Sequence, residues 1–146
     1  MNDFKLTEHF TFFELTRTDK TEFQEVNRKK GLCYTPELTD LCKLVLEPVR
    51  AHYGKLVIVN SGFRYPDLNK AVGGSVTSQL MVGEAVDFHV DGVSIDDVLN
   101  WLWHESGIPF GQLIDERRNG ERWVHCSTGG KREVLAFKDG VYARLA

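Results

Sequence analysis

The chain has 146 residues, 42% of them hydrophobic and 27% charged, with a formal net charge of -3 at pH 7. That length buries a core without staples, and the acidic balance argues against nucleic-acid binding through bulk charge. The longest purely aliphatic run, Leu56–Val59, is too short to span a bilayer.

The elements are read in chain order as one domain over residues 1–146. Met1–Lys5 lacks the basic-then-apolar order of a secretory signal. The expectation is a chain made in the cytoplasm, reaching any target outside the cell by another export or release route. Thr11-Phe12-Phe13-Glu14 has capping-box spacing and predicts a short helix. The polar stretch Thr18–Lys30 predicts a loop with a second short helix that Gly31 ends. A longer helix starts at Thr35 as N-cap with Pro36 in the first turn. Leu38, Leu41, Val45, Leu46 and Val49 recur at helical spacing, Gly54 closes the helix, and Pro48 kinks it or displaces its last turns.

Leu56–Asn60 follows as a buried strand, Ser61–Pro66 as a turn, and Asp67–Val72 as a short helix. Glu84–Val90 is a second strand, and Ser94 caps a helix with core face Ile95, Val98, Leu99 and Leu102. Gly111–Asp115 and Arg122–Cys126 are strands joined around Asn119-Gly120, and Asp139-Gly140 closes a hairpin of Glu133–Phe137 with Val141–Leu145. Helices first and a mostly antiparallel sheet afterwards predict an α+β fold with helices packed on one face. Three cysteines at wide spacing, Cys33, Cys42 and Cys126, form neither a disulfide framework nor a thiolate zinc site. Neighbours on a strand diverge, so His125 and Cys126 are not a nucleophilic pair.

Three strand-end segments carry polar chemistry. Arg64 in Ser61-Gly62-Phe63-Arg64 presents a fork suited to a carboxylate or a developing oxyanion. The others are Ser78-Gln79-Leu80-Met81-Val82-Gly83-Glu84-Ala85-Val86-Asp87 and Trp123-Val124-His125. Together with Leu68-Asn69 and Val72-Gly73-Gly74, they resemble the zinc D-alanyl-D-alanine carboxypeptidases, especially the small phage and prophage members. The family pattern is Ser-x-His-x-x-Gly-x-Ala-x-Asp followed by a distant Trp-x-His, and the resemblance runs from about Thr7 to Ser127.

The resemblance implies a D,D-peptidase-like (hedgehog-type) fold acting on the stem peptide of peptidoglycan. Ser78, Gly83, Ala85 and Asp87 match the pattern, with Asp87 and His125 as zinc ligands and Arg64 and Ser78 toward the substrate. Leu80 stands where the family has its first histidine ligand, and it offers no lone pair. A catalytic zinc holds three protein ligands, so weak or absent occupancy and impaired hydrolysis are expected. His89, two residues from Asp87 on one strand face, is a distant substitute, because such side chains stand about 6 to 7 Å apart. The family also uses an acid/base carboxylate, in some members three residues before the last histidine. Arg122 occupies that place, so Glu116 at the end of Gln112-Leu113-Ile114-Asp115 is preferred, with Glu121 nearby. The alternative is a non-catalytic module on the same fold, binding wall peptide or serving as a phage structural part.

Overall fold

A computed structural model describes residues 1–146. The expected α+β architecture is present. Strands β1 (Lys5–Thr7) and β2 (Phe10–Thr11) form a small hairpin, followed by helices α1 (Phe12–Leu15), α2 (Gln24–Gly31), α3 (Thr35–Leu41) and α4 (Glu47–Tyr53). Strand β3 (Val57–Ser61), helix α5 (Pro66–Ala71), strand β4 (Ala85–Val90) and helix α6 (Ile95–Asn100) come next. Strands β5 (Gln112–Arg118), β6 (Glu121–Ser127), β7 (Glu133–Lys138) and β8 (Val141–Arg144) complete a six-stranded sheet in the order β3-β4-β6-β5-β7-β8.

Local chemistry accounts for several element ends. Thr11 Oγ1 accepts from Glu14 N, and Glu14 Oε1 accepts from Thr11 N, which closes the capping box on α1. Ser94 Oγ accepts from Asp97 N at the start of α6. Gly54 ends α4 at φ 59° in the left-handed region. Thr35 is not the cap expected of it. A 3₁₀ turn over Leu32–Tyr34 runs straight into α3, and Thr35 Oγ1 donates to Leu32 O at 2.8 Å instead. Gly31 likewise continues the chain at φ -65° rather than stopping it. A Cβ there would meet Thr16 Cγ2 at 2.9 Å, so glycine serves close packing. Pro48 acts by widening the helix. Cys42–Leu46 form a π turn in which Glu47 N reaches back to Cys42 O, because a proline cannot donate to the carbonyl four residues earlier.

Alternation along the strands divides the sheet into two faces. Val57 and Val59 pair with Val90 and Phe88, and Phe88 pairs with Val124. These side chains join Leu38, Leu41, Val45, Leu46, Val98 and Leu102 in one cluster of 26 buried residues between sheet and helices. Of the core-face residues expected on the two long helices, Ile95 and Leu99 are partly rather than fully buried. The opposite face carries Asp87, His125, Glu116 and Tyr142. All neighbouring strands are antiparallel except β5 and β7, which run parallel. The chain enters β7 by crossing the end of β5. A Cβ on Gly111 would lie 1.9 Å from Gly129 O, so only glycine admits that crossing.

Candidate metal centre

Strand register assembles the site. Asp87 on β4 lies directly opposite His125 on β6. Ile114 on β5 pairs with His125 from the other side, and Glu116, two residues further along, shares its face. The ligating atoms of Asp87, Glu116 and His125 all lie within 4.8 Å of one another. His125 Nδ1 is 2.8 Å from Asp87 Oδ1 and 3.7 Å from Glu116 Oε1. All three side chains are nearly buried, at 8%, 13% and 7% exposure for Asp87, Glu116 and His125. His125 Nε2 is buried without a partner.

Arg64 reaches the same cleft from the end of β3, where an irregularity between Val59 and Ser61 re-aims the strand. Its backbone is fixed on several sides. Phe63 N donates to Leu15 O at 2.7 Å, and Arg64 N donates to Leu80 O at 3.1 Å. Buried Asn27 donates to Phe63 O and accepts from Tyr65 N, each at 2.9 Å, clamping both neighbours of Arg64. Sequence reasoning missed Asn27. An asparagine inside a polar helix gives no signal of its own, and its partners lie 36 and 38 residues away.

Leu80 is 2% exposed in the 3₁₀ turn Gln79–Val82 and lines the cleft beside Asp87 and His125. Ser78 caps that turn, its Oγ accepting from Leu80 N at 3.2 Å, and stands at the rim. His89 does not join the cluster, for its Nδ1 bonds Asn60 Oδ1 at 2.8 Å. Arg122 is held by Asp115 and Asp96 near the start of β6, and Glu121 lies on the outer rim of the cleft. Cys126 points into the core, away from His125, with burial pushing its thiol up to about 12.

Electrostatics follow from burial and charge. Burial, then the charge of Asp87, raises the Glu116 pKa above the ordinary carboxyl value, against the pull of His125, Arg118 and Arg64. Burial alone would lower His125. The hydrogen bond and charge of Asp87, with the charge of Glu116, outweigh it and hold the imidazole above its usual value. Burial also lowers Arg64, against the attraction of Asp87 and Glu116.

The cleft is about 900 Å³ and runs past this cluster to the C-terminal hairpin, where Leu135 and Tyr142 form a wall. Register explains that wall. Trp123 pairs with Glu116, Glu116 with Phe137 and Phe137 with Tyr142, so one face is continuous across four strands. None of this was legible beforehand, because the parallel β5–β7 contact skips a strand in the chain.

Two buried carboxylates facing one imidazole make a donor set that fits a divalent cation, whereas Leu80 contributes only an apolar wall. With this geometry in place, the family profile described as Peptidase M15 matches residues 8–127. The chain belongs to the M15 peptidases, a family of zinc-dependent hydrolases, on the fold their sequence pattern implies. No curated protein sequence matches it. No helix is long and apolar enough to cross a membrane.

Proposed function

We propose that the chain is a peptidoglycan peptidase of the zinc D,D-carboxypeptidase or endopeptidase type, weakened by Leu80. The observation that supports this reading most is the direct pairing of Asp87 with His125 across β4 and β6, with Glu116 and Arg64 facing the same cleft. Asp87 and His125 are the residues that would hold the metal. Bound there, a divalent cation supplies Lewis-acid polarisation of a carbonyl.

The remaining roles belong to side chains. Arg64 is buried enough that its guanidinium keeps most of its field, and its Nε has no partner within the protein. It orients the carboxylate of the stem peptide or steadies the developing oxyanion. Ser78, at the rim, contacts the peptide backbone. Where a third ligand leaves it free, as Leu80→His would, Glu116 is the acid/base residue. It takes a proton from the attacking water and returns it to the leaving amine, and its raised pKa makes it the better base for the first step.

Leu80 favours a second reading. Its side chain is well buried in a capped turn, so the chain can be a non-catalytic module on the same fold, holding wall peptide or serving in a phage particle. Muropeptide digestion followed by mass spectrometry, on this chain and on Leu80→His, separates the two. The peptidase reading expects slow or no cleavage by the chain and clear cleavage by Leu80→His, with zinc affinity up at least about tenfold. Failure of Leu80→His to gain either would discard that reading in favour of the binding module.

A further inference from the structure

We infer that in this chain Glu116 serves as the third metal ligand, giving a centre of one imidazole and two carboxylates. The inference rests on the metal-centre part of the proposed function and goes beyond it, because a ligated Glu116 is no longer free for acid/base work. Leu80 requires the exchange. Its side chain has no donor atom, and its backbone carbonyl is already engaged by Arg64 N at 3.1 Å. The substitute that strand spacing suggested, His89, is bonded to Asn60. Glu116 is the one remaining residue in the donor group.

Distance supports the assignment. Two ligand atoms on a tetrahedral ion at about 2.1 Å stand roughly 3.4 Å apart. The observed separations from His125 Nδ1 are 2.8 Å to Asp87 Oδ1 and 3.7 Å to Glu116 Oε1, and no pair in the group exceeds 4.8 Å. Shifts of side-chain size bring all three onto one ion. Charge points the same way. The Glu116 carboxylate is 13% exposed, and its one ion-pair contact is the imidazole it shares with Asp87. A divalent cation neutralises both carboxylates at the position where neither has another strong partner.

The experiment is zinc binding by calorimetry with chelator competition on the full chain, Glu116→Gln, Leu80→His and the double variant. Thermal melts check that each is folded. Glu116→Gln should lower the zinc affinity of the chain at least about tenfold, and in the Leu80→His background by less than about threefold. Glu116→Asp, which keeps the charge but withdraws it by one methylene, should show the same contrast should the glutamine variant fold poorly. Equal losses in both backgrounds, no loss in either, or no zinc binding by the chain would overturn the inference. If Leu80→His gains zinc but cleaves no muropeptide, the hydrolytic reading falls while the dependence on Glu116 stands.

Discussion

His125 sits with its imidazole Nδ1 2.8 Å from one carboxylate and 3.7 Å from another. A base whose folded pKa is raised stabilises the fold below its unfolded value and loses that contribution as pH rises through the folded value. Metal-free protein should therefore lose thermal stability as pH climbs from about 6.5 upward through the His125 range, and the raised Glu116 gives a loss of the same sign that begins lower, from about 4.5. Zinc affinity should move oppositely, falling as pH drops through the same range, because the ligand must be deprotonated. Melts with chelator and zinc titrations across pH 6 to 9 check both, and affinity independent of pH would exclude His125 as a ligand. Among the thiols, burial raises Cys42 and Cys126 each to about 12, whereas Cys33 is exposed. Brief alkylation of native protein at pH 8 should label Cys33 alone, read by peptide mass spectrometry.

Elements place the site through close backbone approach. The turn after β3 brings Gly62 against α1, where a Cβ would lie 2.2 Å from Leu15 O, a backbone atom that cannot step aside. Gly62→Ala should cost more than about 2 kcal/mol and lower the melting temperature by about 5 °C or more. It should also loosen Arg64, whose neighbour Phe63 donates to the same carbonyl. A melting temperature within a degree of the parent would show that this contact does not position the turn. Helix ends were legible at the scale of a few residues, since Thr11 with Glu14 and Ser94 with Asp97 cap as their spacing implies. The π turn over Cys42–Leu46 was not, because the chain had several ways to relieve Pro48 and packing chose among them.

Across the whole molecule, the segment beyond the family-matched residues 8–127 is part of the sheet rather than an appendage. Val134 and Phe137 on β7 are 3% and 4% exposed, and β7 pairs along the length of β5. Truncation after Thr128 should remove cooperative unfolding, checked by calorimetry, and a sharp transition at the parent temperature would refute this. The sequence by itself determined the α+β order, the inward face of α3, and the segments bearing Arg64, Asp87, Glu116 and His125, although Glu116 lies within β5 rather than at its end. Those features rest on local periodicity, turn chemistry and short motifs, which act between near neighbours. Tertiary structure alone decided that Asn27 clamps the arginine turn, that β7 lies parallel to β5, and that Tyr142 walls the cleft. It also decided that Glu116 comes within 4.8 Å of Asp87 and His125. Each depends on which strands become neighbours. That choice is set by burial and register summed over the sheet, and no window of sequence contains it.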